Sequence, residues 1–132
     1  MQWLDDKVYT KEFLETLDKE TFPLTYQMCS KNKFDTGSII VRKLINQEID
    51  YPIWIMIYEE RKPKEFHIYS FEVHPKHRLH DYGRKALTKF KEIANIITLC
   101  SLPESKIFYV KQGFEEQEEN RFKWQRPNGS FT

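Results

Sequence analysis

The residues most able to do chemistry sit between Val73 and Leu87, in the run VHPKHRLHDYGRKAL. From Val73 to Lys91 there are six Lys or Arg and a single acid, Asp81. A loop that leaves a strand and opens a helix aims backbone N–H groups at whatever lies above it. With the helix dipole behind them, such groups bind phosphate. Lys76, Arg78, Arg84 and Lys85 lie in or beside this turn, and Gly83 lets a ligand come close to the backbone. Cations near a helix N-terminus are unfavourable for the helix itself. Basic residues held there are therefore explained better by an anion than by helix stability. His74, His77 and His80 form an H-x-x-H-x-x-H pattern that resembles a metal site. Pro75 and the loop assignment argue against a common helical face and no cysteine completes the set, so no metal is expected. Lining the phosphate loop is the expected role of these histidines.

Two further side chains are chemically suggestive. Tyr109 lies in the segment Phe108-Tyr109-Val110-Lys111-Gln112-Gly113-Phe114. A phenol of pKa ~10 is close enough to a thiol at ~8.5 to exchange a proton with it when held nearby. The alternative is a core tyrosine ahead of a Gly-Phe turn. His67 shares one face of a strand with Glu65, Tyr69, Phe71 and Val73, and a histidine titrates near pH 6.5. It could serve as a base, directly or through water, or simply pack. Glu72 points to the opposite face and is the weaker candidate base.

Val73-x-Pro75-x-x-Arg78-x-x-x-x-Gly83-x-x-Ala86-Leu87 resembles the acetyl-coenzyme-A-binding motif of the GNAT acyltransferase superfamily, V-x-P-x-x-R/Q-x-x-G-x-G/A followed by a helix. The Phe108–Phe114 segment resembles that family's F-Y-x-x-x-G-F segment. Together, and in this order, the two motifs are fairly specific, and the resemblance extends from about Phe66 to Trp124. It implies an N-acetyltransferase that moves an acetyl group from acetyl-coenzyme A to an amine of a small molecule or a protein by direct attack. It also implies cofactor contacts from Phe71, Glu72, Val73, Arg78, Leu79, His80, Asp81, Tyr82, Gly83, Arg84 and Lys85. Tyr109 would protonate the departing thiolate. A base is often placed about six residues ahead of the motif valine, which is His67 here. Asp81 departs from the pattern by replacing the family's first loop glycine. Asp tolerates left-handed backbone better than most residues, but its charge opposes a pyrophosphate. The alternative is a catalytically weak or inactive module of the same fold that binds coenzyme A or a protein partner.

These residues need a scaffold, and 132 residues suffice for a single domain spanning 1–132. Ten Phe, seven Tyr and three Trp supply burial, and Trp3, Trp54 and Trp124 read as packing residues. Gln2–Tyr9 reads as an edge strand. Thr10 caps a helix marked by Phe13, Leu14 and Leu17, and Thr21–Leu24, with Pro23, breaks it. Tyr26–Lys31 reads as a short helix and Asp35-Thr36-Gly37 as a turn. Ser38–Ile45 comes next as a strand on the alternation of Ile39, Val41 and Ile45. Tyr51–Tyr58 is almost wholly apolar and predicts a strand buried on both faces. Glu59–Lys64 reads as a charged turn, and Phe66–Val73 returns as the next strand. Helix Tyr82–Asn95, strand Ile96–Cys100, a helix from Pro103 to about Gln112 ended by Gly113, and a hairpin of Phe114–Glu118 with Arg121–Gln125 complete the order. The expected fold class is α/β. The resemblance refines it to a mixed sheet with an antiparallel N-terminal meander, a parallel splayed strand pair, and helices on both faces.

The formal net charge of +1 argues against nucleic-acid binding. The run Glu115–Glu119, with four Glu, reads as a solvated face that could instead attract a cationic amine. Cys29 and Cys100 form no disulfide or metal pattern, and Cys100 reads as core. A reduced, cytoplasmic setting is the simplest expectation. No run reaches the ~20 apolar residues of a membrane span, and the N-terminus lacks a signal-peptide pattern. An exposed sheet edge or hairpin is one route to a homodimer.

Overall fold

β-branched and aromatic residues dominate the strands, and the short polar turns between them set the topology. The structure, a computed structural model, describes residues 2–7, 15–31, 39–78 and 80–127, without the side chains of 4–7. The expected cap at Thr10, the helix residues Phe13 and Leu14, the turn at Asp35-Thr36-Gly37, and Leu79 lie outside the described residues. The strands are β1 (Gln2–Lys7), β2 (Ile39–Ile45), β3 (Trp54–Lys62), β4 (Glu65–Val73), β5 (Ile96–Cys100), β6 (Glu115–Glu118) and β7 (Arg121–Gln125). They form a mixed seven-stranded sheet in the order β1-β2-β3-β4-β5-β7-β6. β1 pairs antiparallel with β2 and β2 with β3. β5 runs parallel to β4, pairing Ile96–Leu99 with Glu65–Ile68. The α-helices are α1 (Pro23–Lys31), α2 (Tyr82–Lys91) and α3 (Lys106–Lys111).

The chain divides into two compact units, Met1–Glu59 with Tyr69–Tyr82, and Glu60–Ile68 with Gly83–Thr132. In the first unit, Phe22, Cys29, Ile39, Val41, Ile55 and Ile57 form a buried cluster, with Leu17, Met28 and Tyr69 packed against it. Trp54 is buried between the edges of Trp3 and Phe71, at centroid distances of 5.0 and 5.5 Å. In the second unit, Ala86, Leu87 and Phe90 are the buried stripe of α2, and Phe90 meets Phe66 at 5.1 Å. Burial of each such side chain is worth ~1.5–3 kcal/mol.

Several boundaries differ from the sequence expectation. Pro23 does not break a helix; it is the first residue of α1, where its missing N–H costs nothing. β2 buries Leu44 in place of Ile45 because its alternation slips by one residue at Arg42 and Lys43. The apolar run from Tyr51 becomes a strand only at Trp54, which with the next four residues is fully buried. Glu59–Lys64 is not a turn. β3 continues to Lys62, and the reversal takes only Pro63 and Lys64, with Lys64 at φ +62. α2 stops at Lys91 rather than Asn95, which leaves Ile93 exposed. The carbonyls at and just beyond its end are bound by Arg126, whose guanidinium donates to Lys91 O at 2.7 Å, Ala94 O at 3.2 Å and Glu92 O at 3.3 Å. The segment from Pro103 opens as a 3-10 turn, Pro103–Ser105, before α3 begins. Gly113 closes α3 at φ +88: its N–H bonds Val110 O and the Phe114 N–H bonds Tyr109 O, the double bond of a Schellman ending.

Candidate functional site

β4 carries the first group of candidates, and its burial alternates without a break. Phe66, Ile68, Ser70 and Glu72 are buried; Glu65, His67, Tyr69, Phe71 and Val73 are half-buried. Glu72 is a carboxylate only 4 % exposed. It does not stand bare. Its oxygens accept from Thr25 N at 2.9 Å, Thr25 Oγ1 at 2.9 Å and Leu24 N at 3.3 Å. Leu24 and Thr25 are the second and third residues of α1, whose first-turn N–H groups have no partner within the helix. Glu72 therefore caps α1 from across the fold, and its charge also suits the positive end of the helix dipole.

Beyond Val73 the loop makes a series of aromatic contacts. His74 stacks on Tyr51 at 4.3 Å and meets the edge of Phe22 at 5.8 Å. Its Nδ1 accepts from Lys76 N at 3.1 Å and so caps a 3-10 turn at Pro75–His77. His77 Nε2 is 3.1 Å from Tyr51 Oη, and the His77 ring meets Tyr82 at 5.8 Å. Burial, and then the His77 and Lys76 charges, push His74 below the ordinary histidine range, against a smaller opposing pull from Asp18. Among the described residues no group of three or more His, Cys, Asp or Glu is placed to hold a metal. Arg78 folds back, its Nε donating to Val73 O at 3.1 Å. His80 and Asp81 are exposed. Asp81 adopts φ +65, the left-handed geometry for which glycine is the easiest residue.

The second unit holds the rest. Gly83 is half-buried, and Arg84 and Lys85 are exposed on the first turn of α2. A Cβ added at Gly83 would meet Phe108 Cζ at 3.0 Å. The side of Gly83 on which a side chain would stand is thus covered by a ring from the second motif, and the two motifs touch here. Tyr109, beside Phe108, is 9 % exposed and packs against Phe108, Phe114 and Phe122 at 5.1, 5.7 and 6.1 Å. Burial pushes its phenol up to about 12. Lys91 donates to Gln112 O, the end of α3, and lies 5.3 Å from the Trp124 ring; burial lowers its pKa.

His67 Nδ1 is 2.8 Å from Thr98 Oγ1, and both line a groove of about 470 Å³. Cys100 also lines this groove and is exposed, contrary to the expectation of a core cysteine. β5 buries Ile97 and Leu99, so Cys100 falls on the opposite face with Thr98. Arg61, Arg121 and Lys123 complete the polar wall. No local motif marks these cations; only the two-residue period of β7 hints that Arg121 and Lys123 share a face. From the Glu115–Glu119 run, Glu118 reaches the groove, whereas Glu116 pairs with Lys106 at 3.0 Å and accepts from Asn120 N at 2.9 Å.

The arrangement of this sheet is found among solved acetyltransferase structures. Tetrahymena GCN5 superposes with a TM-score of 0.68 at 11% identity, covering 95% of this chain and 96% of that one. A GNAT-family protein from Desulfovibrio desulfuricans superposes with a TM-score of 0.63 at 9% identity, over 94% and 98%. This chain has the GNAT fold. The PaiA N-acetyltransferase of Thermoplasma acidophilum, solved in complex with coenzyme A, matches the fold with a TM-score of 0.56 at 11% identity, over 96% and 100%. No family model matches the sequence, and no curated protein does. At such identities the likeness speaks for the fold alone.

Proposed function

We propose that this chain is an N-acetyltransferase that takes its acetyl group from acetyl-coenzyme A and passes it to an amine by direct attack. The observation that carries this reading is Asp81 at φ +65 in the loop that opens α2. A left-handed backbone is what a glycine adopts most readily, which supports reading this loop as the motif's turn with Asp81 in the glycine's place. Arg84 and Lys85, on the first turn of α2, would hold phosphate groups of the co-substrate. Phe71, Glu72 and Val73 would meet the pantetheine arm through the β4 backbone.

His67 would act as the base. If Nδ1 donates to Thr98, Nε2 carries the lone pair that takes the amine proton. Tyr109 would donate a hydrogen bond to the departing thiolate. At a pKa of about 12 it stays protonated at neutral pH. Burial would raise the pKa of a thiol held beside it as well, so this protonated phenol would supply the proton that the departing thiolate takes up.

Asp81 also motivates a second reading, a module that retains the fold without the transfer. Coenzyme A raising the melting temperature, and radiolabel passing from acetyl-coenzyme A to an amine, support the transferase. No melting shift at millimolar coenzyme A overturns it, whereas a shift without label transfer selects the binding module. Tyr109→Phe is expected to lower turnover more than coenzyme A affinity; equal losses assign Tyr109 to binding or folding.

A further inference from the structure

We propose that the groove beside His67 recognises an anion and that the amine acceptor of the transfer reaction carries a carboxylate or phosphate group held there. The second clause rests on the transferase reading, in which His67 is the base. The first stands on the groove alone.

Two rows of side chains cross the sheet here. His67, Thr98 and Lys123 are in register across β4, β5 and β7, and Cys100 faces Arg121 in the next row. Residues directly opposite on paired strands have Cβ atoms ~5 Å apart on a common face. Arg61, Thr98 and Lys123 also line an adjoining groove of about 280 Å³, with Lys62 and Glu65. Together the two grooves present four cations, Arg61, Lys62, Arg121 and Lys123, against two carboxylates, Glu65 and Glu118.

Counting Glu115, three acids face the four cations and leave an excess of one positive charge. Glu118 lies 3.6 Å from Arg121, with both side chains about 70 % exposed; so loosely held a pair can open to a better anionic partner. Glu115 stands opposite Lys123 on β6 and tempers it from the far side. A concave wall with an excess of one sign focuses its field on the space it encloses. Arg121 offers a planar fork and Lys123 a point charge, a combination suited to carboxylate or phosphate. A cationic acceptor would meet like charge at this wall.

Cys100 is a reporter inside the groove. Cys29, the other thiol, is buried and pushed up to about 11, so it reacts slowly. The test is the rate of Cys100 modification by dianionic 5,5′-dithiobis(2-nitrobenzoate) relative to neutral 4,4′-dithiodipyridine. Both are run at fixed ionic strength, with 2-mercaptoethanol as the reference thiol. The anionic reagent is expected to gain about tenfold over its relative rate with the reference thiol. Inorganic phosphate or succinate at millimolar concentration should slow the reaction saturably, and spermidine should not. Protection by phosphate alone names a phosphate-bearing acceptor, and protection by succinate alone a carboxylate-bearing one. Lys123→Gln and the more exposed Arg121→Gln, each checked for folding by circular dichroism, should both weaken the preference and the protection.

A rate ratio equal to that of the reference thiol, no protection by either anion, or protection unchanged in both variants overturns the proposal. The coenzyme A melting shift is measured on the same samples. A shift without anion protection removes this inference and leaves the transferase reading. Protection without a shift leaves the anion groove and removes the transferase.

Discussion

Glu72 provides a quantitative test of how the loop end of β4 is anchored. Replacing it with Ala leaves three donors, Leu24 N, Thr25 N and Thr25 Oγ1, without their acceptor. Hydrogen bonds to a charged group are worth ~1.5–3 kcal/mol each, and an unsatisfied buried donor costs ~1–3 kcal/mol. These terms are not additive. Leu24 lies at the surface, where water can replace the carboxylate, whereas Thr25 is fully buried. Ser70 Oγ, 3.3 Å from Thr25 Oγ1, could take over the hydroxyl. Counting the two bonds to Thr25 at the low end of that range gives a loss of about 3 kcal/mol for Glu72→Ala. Glu72→Gln keeps one acceptor oxygen and should lose about 1 kcal/mol. Against a total of ~5–15 kcal/mol for a domain, the Ala variant is severe but foldable. The assay is urea denaturation monitored by far-ultraviolet circular dichroism, with the slope checked for constancy. A Glu72→Ala loss below about 1 kcal/mol, or a Gln variant as damaged as the Ala variant, would refute the capping account.

The geometry fixes three further outcomes. Gly83→Ala should destabilise by about 1 kcal/mol, because crowding of Phe108 at 3.0 Å outweighs the gain in helix propensity; with Phe108→Leu the same change should turn neutral or stabilising, read from the double-mutant cycle. Asp81→Gly should relieve about 1 kcal/mol of left-handed strain and tighten coenzyme A binding by calorimetry; unchanged affinity would mean that the carboxylate points away from the pyrophosphate. Stability should fall as pH rises from 9 to 12, since Cys29, raised from 9.0 to about 11, and Tyr109, raised from 10.0 to about 12, both hold their protons more tightly when folded. Each accounts for up to roughly 3 kcal/mol, with Lys91, lowered by burial, working the other way; Cys29→Ala and Tyr109→Phe should each flatten the fall in urea melts at several pH values.

The order of strands and helices was legible in the sequence because it rests on local rules. The two-residue period of β4, the apolar run of β3 and the turn residues before β7 each act within a few positions. The double-motif resemblance pointed to the same fold. Boundaries were less legible where one residue type has two uses. Pro23 can break a helix or begin one; burial of Thr25 and Cys29 on one helical face makes it a beginning here. The charged residues at 59–62 look like a turn, yet a strand can carry them once its neighbours pair.

The sequence by itself determined that a basic loop joins a strand to a helix, and that Phe108 and Tyr109 precede a Gly-Phe helix ending. Only the tertiary structure decided what those residues touch. Glu72 and Thr25 are joined across 47 positions. A side chain at Gly83 would crowd Phe108 at 3.0 Å. His67, Thr98 and Lys123 become one row only when three strands align. Contacts between distant positions depend on register and packing, which no local pattern encodes. The loop's residues and their order could therefore be read in the sequence, whereas the groove beside His67 exists only in the folded sheet.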